Sequence, residues 1–354
     1  MKKIRILSLD GGGMRGIIPA TVLEYVENKI IEITDNRNAR IADYFDLIAG
    51  TSTGGILTAF YLTPAQTLFE EDPNAKHKAS KALKFYEKDG VKIFNDSKKF
   101  SWFGLRQLFN AAQYNPKELE KILQKEFKFL QIKDLLKPCI ITTYNMQSKN
   151  SFFFSSREPM EKNRDFYIKD VLRSTSAAPT YFPPAFIKNL ATDTEMINID
   201  GGVFANNPAM CAYSEARATD FENISFPSAK DMLILSIGTG GGQFKLPKVE
   251  KSSTWGILPW ATSIPNIMMD GSIDTVDHQM KNIFDALSLK DKFNYKRIDV
   301  PLNKRTYSSD MADASLKNIT ALKKAGKEAL ESAQIKNNNE YTLDEFIHKL
   351  IENS

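Results

Sequence analysis

The sequence predicts an α/β protein with a mainly parallel sheet covered by helices. Strand-like and helix-like stretches alternate along the chain, and two of the strand-to-helix junctions are glycine-rich turns. The 354 residues, 42% hydrophobic and 25% charged, have the composition of an ordinary globular protein with a sizeable core. Length alone fits one large α/β unit or about two domains of roughly 150 residues.

The first unit opens with a β-rich strand, Ile4–Leu9, followed by a glycine loop. Ile18, Val22, Tyr25, Val26, Ile30 and Ile33 then recur at helical spacing, with Pro19 suited to a first turn. The second repeats the plan: a strand over Phe45–Ala49, a tight turn over Gly50–Gly55 and a helix over Ile56–Leu62. Further strands are expected at Cys139–Tyr144, Ser151–Ser155, Met196–Ile199, Met232–Ile237 and Tyr295–Val300. Glu70–Trp102, rich in Lys, Asp and Asn, reads as a surface excursion suited to covering a site. Gly240–Pro259 reads as a long irregular loop. We expect one catalytic domain over 1–335, with a cap or insertion at 70–130. A terminal helix over 336–354 should be opened by the Thr342–Glu345 capping box and pack its Leu343, Phe346, Ile347, Leu350 and Ile351 stripe on the body.

Composition limits the function. The net charge of +4 is small and spread along the chain, which argues against a nucleic-acid partner. Cys139 and Cys211 have neither disulfide nor metal-ligand spacing and read as buried free thiols. The N-terminus meets Asp10 and three glycines too early for an export leader, and polar residues interrupt the uncharged stretch Leu47–Phe69, so no transmembrane segment is expected. The expectation is a cytoplasmic protein, peripheral at membranes if it meets them.

Gly50-Thr51-Ser52-Thr53-Gly54 is a G-x-S-x-G pentapeptide between an apolar strand and a helix, the context in which it lifts a serine hydroxyl to a strand end facing a helix N-terminus. The plain alternative is a Ser/Thr-rich turn that caps a helix. Gly11-Gly12-Gly13-Met14-Arg15-Gly16 occupies the matching place in the first unit and carries two readings. As G-x-G-x-x-G it fits a dinucleotide fingerprint, but the acid expected about 20 residues on falls in a polar loop at Asp35. As a run of uncovered N–H groups it fits an oxyanion hole, with Arg15 buttressing the loop or meeting a phosphate.

A serine nucleophile needs a base, and the chain has three histidines. His77, between Lys76 and Lys78, reads as solvated. His348 falls off the tail helix's apolar stripe, and His278 projects opposite the stripe Ile273, Val276, Met280, Ile283, Phe284 and Leu287. Asp200-Gly201-Gly202, closing the run Met196–Ile199, is the better candidate, although a strand-end Asp capping a turn is the commoner case. Nucleophile turn, glycine loop and strand-end acid together describe a Ser-Asp dyad. An Asp base predicts an acid limb of kcat/KM that does not track an imidazole. Tyr181, Phe182, Trp255, Leu258 and Trp260, read as loop residues, are candidates for docking on aggregated lipid, with core packing as the alternative.

With these residues in place the chain resembles the patatin-like phospholipase family over nearly its whole length. The resemblance rests on Ile6–Gly13, Ala42–Asp46, Gly50–Gly55, Ser176–Pro184 and Leu235–Gly240. It implies a three-layer α/β/α fold and hydrolysis of fatty-acyl esters of membrane phospholipids or other acyl lipids at an interface. It places the nucleophile on Ser52, the base on Asp200 and the oxyanion donors on Gly11, Gly12 and Gly13, with Arg15 where the family usually carries a basic residue. No metal or organic cofactor is required. An acyltransferase with the same dyad, a nucleotide-binding protein and a storage protein with a vestigial site are the competing functions.

Overall fold

The computed structural model describes residues 2–65, 74–95, 112–157, 162–218, 220–221, 224–241, 256–302, 306–336 and 340–354. In chain order its principal elements are β1 (Ile4–Leu9), α1 (Ile17–Thr34), β2 (Leu47–Thr51), α2 (Thr53–Leu62), α3 (Ala79–Phe85), α4 (Lys117–Phe127), β3 (Cys139–Asn145) and β4 (Asn150–Ser155). They continue with α5 (Ile168–Thr175), β5 (Ala185–Lys188), β6 (Glu195–Asp200), α6 (Ala209–Arg217), β7 (Met232–Ile237), α7 (Ile257–Asp285), β8 (Tyr295–Ile298), α8 (Leu316–Ala333) and α9 (Leu343–Glu352).

The strands form one sheet in the order β5-β6-β3-β2-β1-β7-β8, with β4 also paired to β3. β1 runs parallel to β2 and β7, β2 to β3, and β7 to β8; β4 and β6 are antiparallel to β3, and β5 to β6. Every residue of β1, β2 and β7 is buried, which is why these strands read as near-continuous apolar runs. The charged residue inside β1 is Arg5, whose N–H and Nε both donate to Asp46 Oδ2, at 2.8 and 2.9 Å, at the entrance to β2. Losing either partner of this buried pair would leave an uncompensated charge.

The two-residue period of the strands sorts their side chains into two cores. Leu7, Leu9, Ile48, Ile141, Leu233 and Leu235 face α1, α2, α5, α8 and α9. Ile4, Ile6, Leu47, Ala49, Met232 and Ile234 face α6 and the second half of α7, including Met280 and Phe284. The result is three layers, helix–sheet–helix. In α9 the Thr342 hydroxyl accepts the Glu345 N–H (3.2 Å), and Leu343, Phe346, Ile347 and Leu350 are fully buried.

Several expectations need correction. β5 was not foreseen, because four residues alternating buried and exposed give too short a signal. α7 begins at Ile257, inside the stretch expected to be loop through Pro259; a proline is tolerated in a first helical turn, where the N–H has no partner to lose. Residues 242–255 of that stretch lie outside the described residues, and so does Trp255. The part of Glu70–Trp102 that is described, 74–95, is not simply surface: Ala79, Ala82, Leu83, Phe85 and Tyr86 are buried. Glu27 of α1 anchors it by accepting the Ala79 N–H at 2.8 Å. Cys139 is buried and Cys211 half-buried; both are free thiols. Among the described residues no helix is long and apolar enough to cross a membrane.

Candidate active site

Parallel pairing brings the C-terminal ends of β1, β2 and β7 to one edge of the sheet, with β1 at the point where the chain turns from one side of the sheet to the other. Ser52 stands there between β2 and α2, with φ 54° and ψ −119°, a backbone conformation that a non-glycine residue holds only under tertiary constraint. Gly54 explains how the turn closes: a Cβ at this position would collide with the Leu9 carbonyl oxygen of β1. Gly50 likewise faces the Gly54 backbone with no room for a side chain. The Ser52 N–H donates to Thr175 Oγ1 of α5 at 2.8 Å, fixing the turn from the other side.

Strand register brings the acid to the serine. Thr51 is level with Thr142 across β2 and β3, and Thr143 is level with Asp200 across β3 and β6. The last residue of β6 therefore arrives one residue beyond Thr51, beside Ser52. A second tie is the Thr51 hydroxyl, 2.7 Å from Thr142 Oγ1 and donating to the Ala205 carbonyl at 2.6 Å. Asp200 donates its N–H to the Ala177 carbonyl (3.0 Å) and accepts the Gly202 N–H on Oδ1 (2.7 Å). Its Oδ2 is buried with no aligned hydrogen bond. Burial pushes the Asp200 carboxyl up to about 7, and the nearby Ser52 hydroxyl and the Gly202 N–H pull against that rise. A carboxyl titrating there overlaps the imidazole range, so the acid limb of a pH profile cannot by itself distinguish Asp from His as expected from sequence.

The glycine loop follows β1. Gly11 packs against Ser52 Cβ, but its N–H donates to the Asn206 carbonyl at 3.0 Å, so it is not available to an oxyanion. That corrects the expectation of three donors. Gly12 and Gly13 show no hydrogen bond on their N–H groups among the described residues, and Gly13 has φ 58°. Met14 N–H donates to the Met311 carbonyl at 2.8 Å. Thr239, at the end of β7, donates to the Gly11 carbonyl at 2.6 Å. Arg15 is buried and donates to the Ser309 carbonyl at 3.1 Å, so it buttresses the loop from behind. Gly16 lies against Thr53 and Tyr86, Gly201 against Thr142, and Gly202 against Asp200 and Asn206. Thr175 and Asn206 were missed from sequence, since single polar residues in mixed surroundings carry no local signal; Thr239 stands in the Leu235–Gly240 motif, where it was given no role of its own.

No histidine joins this group. His278 and His348 are exposed, and His278 Nε2 lies 2.9 Å from Asn282 Nδ2 on the same helix. His77 is buried rather than solvated: its Nε2 lies 3.0 Å from Glu126 Oε1, and its ring packs on Phe60. Phe60 lies about 12 Å along α2 from Ser52, at 1.5 Å per residue.

Two cavities flank the site and share Ala178, Tyr181 and Met311 in their linings. The first is apolar and holds Ser52 and Gly13 with Ile56, Phe85, Ile93 and Phe182. The second reaches Asp200 between Thr180, Tyr181, Asn266 and Met269. Phe182 is buried, which favours core packing over lipid docking for this residue, and Trp260 and Leu258 belong to α7 rather than to a loop. Among the described residues no cluster of His, Cys, Asp and Glu is arranged to hold a metal.

Comparison with known proteins finds relatives over most of the chain. Patatin-T5 from Solanum tuberosum is 33% identical over 353 residues, covering 95% of this chain and 86% of that protein. "Probable inactive patatin-3-Kuras 1", also from Solanum tuberosum, is 32% identical over 348 residues, covering 95% of this chain and 89% of that protein. Among solved structures, VipD from Legionella pneumophila aligns with a TM-score of 0.36 at 12% identity, over 94% of this chain and 67% of that one. The family description patatin-like phospholipase matches residues 7–213, which hold both glycine turns, Ser52 and Asp200. On that match and on similarity covering most of the plant proteins' length, the chain belongs to the patatin-like phospholipase family, a family of lipid acyl hydrolases.

Proposed function

We propose that the protein hydrolyses fatty-acyl esters of phospholipids or lysophospholipids through a Ser52–Asp200 dyad. The observation that carries this reading is a serine held at positive φ on a helix N-terminus, beside a buried carboxyl whose pKa is raised to about 7. A base with that pKa is half ionised near neutral pH, where general-base catalysis is most effective. Asp200 takes the hydroxyl proton as Ser52 Oγ attacks the acyl carbonyl and returns it to the departing alcohol, leaving an acyl-enzyme. It then deprotonates the water that attacks the ester carbon, and Ser52 leaves with the proton. The N–H groups of Gly12 and Gly13 stabilise the oxyanion, each worth about 3 kcal/mol in comparable acyl hydrolases.

The apolar cavity beside Ser52 suits the acyl chain, and the cavity at Asp200 suits the leaving group and incoming water. Phe85 and Ile93, from the 70–130 stretch, wall the acyl side, which supports a covering role for that segment. A nucleotide-binding loop is disfavoured because Gly11 and Met14 spend their N–H groups on backbone carbonyls, which breaks the run of amides a pyrophosphate needs.

The test compares wild type with Ser52→Ala on phospholipid, lysophospholipid and galactolipid panels, with products identified. Wild type should release fatty acid and take a fluorophosphonate label; the folded variant should do neither. Undiminished turnover in the variant would refute the assignment.

A further inference from the structure

We propose that Arg173 sets the acyl-chain preference of the enzyme by clamping one wall of the apolar cavity beside Ser52. This rests on the acyl hydrolase reading and extends it to which acyl chains the site favours. Two stretches distant in sequence contribute to that wall: Leu119 of α4, and Phe182 from the segment that precedes β5. The residue after each belongs to a different surface. Glu120 and Pro183 line a separate groove together with Arg173 itself, a groove that also carries the exposed Phe186.

The guanidinium bridges the two stretches. Its Nε donates to Glu120 Oε1 at 3.0 Å and its Nη2 to the Pro183 carbonyl at 2.8 Å, both charge-assisted bonds. Its central carbon lies 6.0 Å from the centre of the Phe182 ring. Arg173 is only 6% exposed, and its Nη1 is buried without a hydrogen bond among the described residues. An apolar side chain would fill this space without that desolvation cost, so the guanidinium contributes directed bonds rather than bulk.

The helix that carries Arg173 also holds the nucleophile turn. Two residues on, Thr175 Oγ1 accepts the Ser52 N–H at 2.8 Å, while Ile168, Val171 and Leu172 bury α5 in the core. Serine turn and cavity wall are thus referred to one rigid element. Just before α4 the Gln113 and Tyr114 N–H groups donate to the Thr180 and Tyr181 carbonyls, at 2.8 Å each, which joins the two stretches on one side of Phe182. Arg173 joins them on the other. A long acyl chain draws more of its binding from this wall than a short one, so the clamp bears on the choice between them.

The experiment uses the full chain and compares wild type with Arg173→Met, which keeps an unbranched stem and loses the donors, on palmitoyl and butyryl esters of one alcohol. The palmitoyl-to-butyryl ratio of kcat/KM should fall about 10-fold, the effect of releasing roughly two methylenes from burial. The fall should appear as a raised KM for the palmitoyl ester with kcat little changed, because the wall binds ground state and transition state alike. If Arg173→Met misfolds, Glu120→Ala removes one of the two bonds from a half-exposed position and should lower the ratio about 3-fold, half the effect on a logarithmic scale. An unchanged ratio, or a loss of activity equal for both esters, overturns the proposal. Binding of parinaric acid, a long-chain fluorescent fatty acid, to Ser52→Ala with and without Arg173→Met separates the clamp from the chemistry. Binding weakened about 10-fold by Arg173→Met, with no ester hydrolysed by wild type, would remove the hydrolase reading and leave the clamp. Ester hydrolysis with equal fatty-acid binding would remove the clamp and leave the hydrolase.

Discussion

Replacing Asp200 by Asn should produce an enzyme that is inactive yet more stable than wild type in mild alkali. The carboxyl is fully buried and ionises near pH 7 in the folded chain, against 3.8 as its ordinary value. Because the folded pKa is the higher one, folding takes up a proton between about pH 4 and 7, and the group's contribution to stability falls as pH rises through that window. Above pH 7 the full cost of a buried, poorly compensated carboxylate is present, about 4 kcal/mol for a difference of this size. Asparagine removes the charge and keeps the acceptor for the Gly202 N–H, but it places an amide NH₂ where Oδ2 now lacks an aligned partner, costing about 1–3 kcal/mol.

The net expectation is a gain of about 1–3 kcal/mol at pH 8, or roughly 1–4 °C in Tm for a chain of this length. At pH 4, with the carboxyl protonated in the folded chain and close to its ordinary pKa of 3.8 in the unfolded one, most of the advantage should vanish. Differential scanning calorimetry at the two pH values, alongside ester hydrolysis, measures both halves. A variant less stable than wild type at pH 8 and unchanged at pH 4 would show that Asp200 is a satisfied structural anion. The account of its proton affinity would then be wrong.

Two other substitutions test neighbouring parts of the site. Gly54→Ala drives a methyl into the Leu9 carbonyl and should destabilise the protein by about 3 kcal/mol or more, read as a fall in urea midpoint with unchanged slope. A variant carrying His77→Gln, His278→Ala and His348→Ala should retain most activity and keep an acid limb of kcat/KM near pH 7, because that limb belongs to Asp200. Loss of the limb together with the histidines would return the base to an imidazole.

Much of the fold was legible because the central strands are buried on both faces and end in glycine turns. β1 and β7 emerge with the boundaries read from sequence, and the turn around Ser52 announces itself through glycines that close packing requires. What sequence hides is burial created by distant parts of the chain. His77, flanked by two lysines, looks solvated until Phe60 and Glu126 close over it. The start of α7 is obscured by Gly256 and Pro259 and by apolar residues on its outer side, where the usual pattern places polar ones. Gly11 looks like an oxyanion donor until Asn206, from the other half of the chain, claims its N–H.

The strand register has a consequence for when activity can begin. Ser52 and Asp200 come from widely separated parts of the chain and meet only because β3 pairs with β2 on one side and β6 on the other. A chain still being synthesised, or one cut before β6, would shape the serine turn but, on the proposed mechanism, would lack the base that activates it. Long-range pairing of this kind is slow to form, so on the proposed mechanism the means to break lipid esters would arrive only when β6 has joined β3.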